Sequence, residues 1–593
     1  MQPNSLSRHK DAVPREFAAA PIRRSVALFL VLVAAFTIGI PALLLFMGSI
    51  PGRGEVGNSP AHGLSETAIG TMNVFRETQG TFFSKLPEAN QRWIRGVSQL
   101  ESELDEGGIW NSQSRDALRT LLVRIGQRRV GDVEIGHAGT LFFLPDIRHL
   151  IGPGFLTEEF LQRRSQEIGD KGTRVQPDSR VAILDFQKQL LNLGIQLIVV
   201  PTPSKAAIIS EQLSVQCAAG AWALRNSSLE QWKRELSAAG VLVFDPSEVL
   251  MEAKQNRAAV SPYLRTDTHW APDAMQQVAE RLAKFVQSEL AMGQPEETRF
   301  IREPQTVSNA GDLSSMLQLS VADQRRKPER VVIQKVSPAQ NQRSARGLGS
   351  EAEAAAPVLL LGDSFTNIYS AGEMQWGTSA GFAEQLSFEL QLAVDSLAVN
   401  GGGATESRRT LIREIVAGRA ALAGKKVVIW QFAARDLSCG DWPVLKVPPQ
   451  GAVFSGEVRK PEAVGNERDF LWISGRVRTV TALPKAAGLP YPDAVICIHL
   501  DSVTAESQVT AEGQRLPDSA EPDSEVIVYA WGLRNRRLVA DRRFVAGAPV
   551  TLRVQPWERV RSQYERYYRV ELEDPDFQLA ELPIFWVESV AEP

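Results

Sequence analysis

The period of the hydrophobic pattern changes along the chain, and each change marks a boundary. Ser25 to Met47 (SVALFLVLVAAFTIGIPALLLFM) is an uncharged apolar run of about 23 residues, long enough to cross a bilayer as a helix. Residues 48–129 follow as linker and helical lead-in, with Gly, Ser and Pro rich in 51–70 and an apolar stripe at Phe82, Phe83, Leu86 and Trp93. Between 130 and 445 amphipathic segments alternate with short apolar runs. The spacing predicts helices over 181–193, 229–239, 272–290 and 405–423, and strands over 195–200, 241–244, 358–361 and 427–430. Met275, Val278, Leu282, Phe285 and Leu290 fall on one face of the third helix. Apolar runs without alternation are what parallel strands covered on both faces require. The expected fold class is therefore α/β, a doubly wound parallel sheet over 130–445, with the polar stretch 338–356 as a surface loop. From 450 to 593 the pattern becomes alternating and rich in Val, Ile, Thr and Trp, which predicts an all-β accessory domain, a small sandwich or barrel. Its Trp472, Trp531, Trp557 and Trp586 form either a sugar-stacking platform or part of the core.

Charge orients the apolar run. Arg8, Lys10, Arg15, Arg23 and Arg24 precede it, and Arg53 is the nearest base after it. The positive-inside rule makes 1–24 a cytoplasmic tail and 25–47 an anchor in the inner (cytoplasmic) membrane, with the remainder periplasmic. The run exceeds an ordinary signal-peptide core and no A-x-A site follows, so the anchor is expected to stay uncleaved. A net charge of −4, from 65 basic and 69 acidic residues, gives no footprint for nucleic acid. Three cysteines exclude a disulfide scaffold or a zinc site and leave room for one pair, such as Cys217 with Cys439.

The chemistry concentrates at three places. In PVLLLGDSFT (357–366) a buried strand runs into Gly362-Asp363-Ser364, setting a serine hydroxyl on a turn at the carboxyl end of a strand. Gly362 permits a tight turn, and the Ser364 amide is placed to donate to an oxyanion. A serine nucleophile needs a base, and the chain holds 6 histidines. His9 falls in the tail, His62 in the linker and His499 inside a strand, while His137 and His149 lack an acidic partner at useful spacing. His269 remains, in Arg265-Thr266-Asp267-Thr268-His269-Trp270, where Asp267 is placed to fix the ring tautomer. Asp-x-His is also two thirds of a metal site, but no third ligand lies nearby in sequence, so no metal is expected. Asn400-Gly401-Gly402-Gly403 precedes a helix, and such a turn offers backbone amides to an anion.

In combination and order, these motifs resemble the SGNH-like polysaccharide O-acetyltransferases, the AlgJ/AlgX group of alginate acetylation proteins. The Asp-x-His pair comes before GDSF, as in that group, and GTLFFLPDI (139–147), PTPSKA (201–206) and VVIWQFAARDL (427–437) look like it too. The resemblance covers 130–445 and, with the anchor, is nearest to an AlgJ-like architecture. It implies Ser364 as nucleophile, His269 as general base and Asp267 as its orienting carboxylate. It further implies Ser364, Asn400, Gly402 and Gly403 at the oxyanion site, with Lys205 and Arg435 either facing the cleft or forming scaffold ion pairs. The implied partners are a polysaccharide acceptor and a polytopic membrane O-acyltransferase that brings acetyl groups across the bilayer; no cofactor is expected. The competing readings are an exported carbohydrate esterase with the same triad and a non-catalytic glycan-binding component of a secretion complex. The loop 338–356 and the C-terminal domain have no match in the alginate proteins.

Overall fold

The computed structural model describes residues 129–591 apart from internal stretches, the longest being 340–355, 449–469 and 507–523. All of these residues belong to the second of two compact units, Asp116–Pro593. The predicted tail, anchor and lead-in, and most of the 338–356 loop, lie outside the described residues. Among the described residues no helix is long and apolar enough to cross a membrane.

Five parallel strands form the central sheet: β1 (Gln196–Thr202), β2 (Leu242–Val243), β3 (Val358–Gly362), β4 (Val394–Ala398) and β5 (Val427–Ala433), in the order β2-β1-β5-β3-β4. β5 is central and buried at every residue, which explains why its sequence, VVIWQFA, shows no polar alternation. Successive residues serve opposite layers. Ile198, Val200, Leu360, Val427 and Ile429 pack into one core with helices α3 (Pro272–Glu289) and α4 (Phe382–Leu390). Leu197, Val199, Leu361, Val428 and Trp430 pack into the other, with α1 (Ser179–Leu191), α2 (Leu229–Ala238) and α5 (Gly403–Val416). The sheet is thus doubly wound, as the apolar runs predicted.

Two boundaries differ from expectation. The helix predicted over 405–423 stops at Val416, because Gly418 two residues on adopts φ +78°, a left-handed conformation that ends a helix. An antiparallel ribbon, Phe300–Asn309 with Glu329–Pro338, has no counterpart in the sequence reading. Its first strand has no buried residue and carries Pro304, and its second buries only Ile333 and Val336, so hydrophobic alternation is weak.

The C-terminal domain is a barrel. Leu471–Val480, Ala494–Glu506, Val526–Arg534, Ile584–Val590 and Pro549–Pro556 pair in a closed ring, which leaves no edge among them. Inward residues such as Val477, Ile496, Ile498, Val528 and Leu552 fill it. The domain is not all-β: helix Trp557–Tyr564 covers its outer face. There Trp557 and Trp586 are 5% and 1% exposed, and Trp531 packs edge-on against Trp586, so these rings are core and build no open sugar platform. Cys217, Cys439 and Cys497 are all free thiols, so the Cys217–Cys439 pair does not form.

Candidate active site

The site lies at the carboxyl ends of β3 and β5, where open α/β sheets present their ligands. The turn after β3 is fixed from both sides. Asp363 accepts from the Phe365 amide (2.8 Å) to cap the short helix Ser364–Asn367, and its other oxygen accepts from the Ala433 amide (2.9 Å) at the end of β5. Beneath it, buried Gln431 accepts from Thr366 Oγ1 (2.8 Å) and donates to Thr202 Oγ1 (3.0 Å), joining β1, β5 and the turn. Gly362 is a steric requirement: a Cβ there meets Thr366 Oγ1 at 2.2 Å. The Ser364 amide, first in its helical turn, has no intrahelical acceptor.

Ser364 Oγ lies 2.9 Å from His269 Nε2, and His269 Nδ1 lies 2.6 Å from Asp267 Oδ1. The fold thus joins residues separated by 95 positions into a hydroxyl–imidazole–carboxylate chain, the arrangement that a serine nucleophile, its base and an orienting carboxylate require. Asp267 Oδ1 also accepts from the His269 amide (3.1 Å), while Oδ2 accepts from Trp376 Nε1 (2.9 Å) and the Asp312 amide (3.0 Å). Burial opposes the charge on Asp267, but the His269 hydrogen bond and these donors outweigh it and hold its pKa at about 2. Burial also favours a neutral His269; the adjoining Asp267 carboxylate, with Asp312 and Asp363, reverses this and raises the ring's pKa above the ordinary value.

The loop carrying the pair is braced from below. Tyr263 and Trp270 bridge across it. Trp270 Nε1 donates to the carbonyl of Phe365 (3.2 Å), and Tyr369 OH donates to that of Trp270 (2.7 Å). Lys205, buried, donates to the carbonyls of Leu141 (2.6 Å), Arg265 (2.8 Å) and Asp267 (3.0 Å). It therefore supports the loop from behind and does not face the cleft; burial, partly countered by Asp267, pushes its pKa down to about 7.

Asp312 was missed in the sequence because it is remote from the pair. It follows Gly311, whose φ of +88° and close approach to the Thr266 carbonyl admit no side chain. Its carboxylate accepts from the Thr268 amide (2.7 Å) and lies 3.8 Å from His269 Nδ1. Burial first, then Asp267, raise its pKa to about 6. Asp267, His269 and Asp312 have ligand atoms within 4.8 Å of one another, so the fold supplies the third potential ligand the sequence lacked. Both Asp267 oxygens already face N–H donors, which suits a charge relay better than a cation.

Ser364 and His269 open into a cavity of about 770 Å³. Its lining includes Arg435, which pairs with buried Asp146 (3.1 Å), and His149, whose Nδ1 lies 2.6 Å from Ser438 Oγ. Burial, then Arg435, lowers the His149 pKa to about 4, whereas burial raises Asp436 to about 7 against the pull of Arg435. Gly401 and Gly403 line the wall with positive φ, whereas Gly402 packs behind it against Val399 and Glu406. Asn400 is committed elsewhere: its amide donates to the Arg566 carbonyl (2.9 Å) and its oxygen accepts from Asn367 (3.0 Å). Tyr491 and Tyr568, from the C-terminal domain, complete the lining.

Residues 155–434 match the family described as an SGNH hydrolase-like domain, acetyltransferase AlgX. Two curated relatives, each named a probable alginate O-acetylase AlgJ, are 30% identical over 142 residues (Pseudomonas aeruginosa; 24% of this chain, 35% of the relative) and 26% over 264 (Azotobacter vinelandii; 44% and 63%). The chain therefore spans less than two thirds of either relative. Among solved structures, the O-acetyltransferase domain of Pseudomonas putida AlgJ aligns at 22% identity and TM-score 0.38, over 53% of this chain and 94% of that one. Pseudomonas aeruginosa AlgX aligns at 16% and 0.36, over 71% and 90%. Over residues 155–434, then, this chain is similar to the SGNH hydrolase-like domain described as acetyltransferase AlgX.

Proposed function

We propose that this chain is a membrane-anchored periplasmic O-acetyltransferase that moves acetyl groups to hydroxyls of an exported polysaccharide through an acetyl-Ser364 intermediate. The observation that carries this reading is the Ser364–His269–Asp267 relay, at 2.9 and 2.6 Å, opening into a cavity of about 770 Å³. His269 takes the Ser364 proton as Oγ bonds to the acetyl carbon, then gives it to the departing donor group. An acceptor hydroxyl next loses its proton to His269 and bonds to the acetyl carbon; the Oγ–carbon bond breaks and the proton returns to Oγ. Asp267 stays ionised and steadies the imidazolium. The Ser364 amide and the Gly401–Gly403 turn face the carbonyl oxygen.

The acceptor class follows from the alginate O-acetylases among the relatives, and the location from the uncharged run 25–47 with its flanking bases. A periplasmic domain has no access to cytosolic acetyl-CoA, so the donor is a polytopic membrane O-acyltransferase partner. The test is to supply an aryl acetate and unacetylated uronate oligosaccharides to the full chain in detergent. Acetylated oligosaccharide, lost in Ser364→Ala, supports the reading; release of free acetate alone, unchanged by oligosaccharide, makes the protein an esterase and overturns it.

A further inference from the structure

The C-terminal barrel holds part of the site in place. The turn 399–403 joins β4 to α5 and gives Gly401 and Gly403 to the cavity lining. One side of it is tied to the nucleophile turn. The Val399 amide donates to the Gly362 carbonyl (3.1 Å), and Asn367 Nδ2 donates to the Ala398 carbonyl (3.1 Å) and to Asn400 Oδ1 (3.0 Å). The other side meets the barrel. Asn400 Nδ2 donates to the Arg566 carbonyl (2.9 Å), and the Arg566 guanidinium donates to the Ser370 carbonyl (2.8 Å). The Ser370 amide donates to the Asn367 carbonyl (2.9 Å), so residues 367, 400, 566 and 370 close a circuit of hydrogen bonds across the domain boundary. Segment 566–570 belongs to the barrel: Arg569 and Val570 pair with Val495 and Ile496, and the Val495 amide donates to the Tyr568 carbonyl (2.9 Å). Gly401, at φ +70°, is pressed against this segment, since a Cβ there would meet the Tyr568 ring at 2.7 Å. Asn400 is 2% exposed, and its amide has a partner at each end within the circuit.

We infer that Asn400 is a positioning residue through which the barrel fixes the 401–403 turn against the nucleophile turn. The inference rests on Ser364 being the nucleophile and on that turn facing the acetyl carbonyl. Asn400 acts through the turn, because its amide already serves Asn367 and Arg566. A backbone built from three consecutive glycines has many conformations open to it, and a buried amide bridging two domains selects one. Backbone donors help only where the oxyanion forms, and a displacement of about 1 Å costs on the order of 10²-fold in rate. The barrel is then needed for acetylation of Ser364 even when no sugar is present, whereas a domain that only binds glycan is not.

The experiment is stopped-flow acetylation of the full chain in detergent by p-nitrophenyl acetate, without sugar. Wild type runs beside Asn400→Ala, Arg566→Ala, the double variant and Arg419→Ala. Burst amplitude counts folded sites and burst rate reports their geometry, so the two separate positioning from stability. Asn400→Ala should keep its amplitude while the rate falls about 10- to 100-fold. Arg566→Ala leaves the backbone carbonyl and removes only the tie to Ser370, and a fall of roughly three- to tenfold is expected. The double variant should be no slower than Asn400→Ala, because both changes cut one circuit. Arg419→Ala breaks an exposed contact with Glu558 (2.9 Å) at the same domain boundary and should keep the wild-type rate. Losses that multiply in the double variant would make Asn400 a direct oxyanion donor and overturn the inference. So would a wild-type rate in Asn400→Ala, a loss confined to amplitude, or an equal fall in Arg419→Ala; each leaves Ser364 as nucleophile. Absence of a wild-type burst overturns both.

Discussion

On the acid–base side of the cavity every polar atom of Asp267 has a partner: His269 twice, Trp376 and the Asp312 amide. The part of the site around Arg435 is wired more loosely. Asp146 and Asp436 each keep one buried carboxyl oxygen without a hydrogen-bond partner, beside Arg435. Burying an unpaired carboxyl oxygen is costly, so the two parts differ in purpose. The first is organised before any substrate arrives and fixes the tautomer and direction of a base. The second leans on Arg435, which pairs with Asp146 and whose charge favours an ionised Asp436 against the cost of burial.

The strongest way to break this comparison is at the relay. Ser364→Ala and His269→Ala should each lower acetyl-transfer kcat on the order of 10⁴-fold, measured by acetylated oligosaccharide per unit time. Asp267→Asn preserves shape but fixes the wrong tautomer, and a loss on the order of 10³-fold is expected. The pH profile sharpens the cause. The neutral His269 ring is the active form and its pKa is raised by Asp267, so the rate should fall as pH drops, with an inflection above about 6.5. In Asp267→Asn the residual rate should inflect at lower pH, since burial then acts unopposed by that carboxylate; an unmoved inflection would remove His269 as the titrating base.

Around Arg435 the signature should be different. Asp436→Asn is expected to raise KM for oligosaccharide about tenfold and leave Ser364 acetylation by an aryl acetate unchanged. An effect on acetylation instead would merge the two parts into one machine. Trp376→Phe, which removes one of four donors to Asp267, should give the smallest change, a roughly three- to tenfold fall in kcat with KM preserved.

The triad and the sheet were legible because their signals are local. PVLLLGDSFT encodes strand, turn and nucleophile in ten consecutive residues, and Asp267 and His269 sit two apart on one loop. The groups that were missed have no such locality. Asp312 joins the relay through a backbone amide 45 positions from Asp267, and Trp376 reaches it across 109. The glycine at 311 was the available signal, a position where positive φ forbids most residues. The motif of Lys205 leaves it between the cleft and a scaffold ion pair, and its burial among three carbonyls is a property of packing. Tyr491 was illegible for a stronger reason: the barrel's own pattern carries no information about which loop meets the other domain.

The most direct test of the account is intact-mass and peptide mapping of the full chain during turnover of an aryl acetate. The account predicts a transient adduct of about 42 Da, one acetyl group replacing hydrogen, on the peptide holding Ser364. It should be absent from Ser364→Ala and His269→Ala. An adduct on another residue, or one that persists undiminished in both variants, would contradict it.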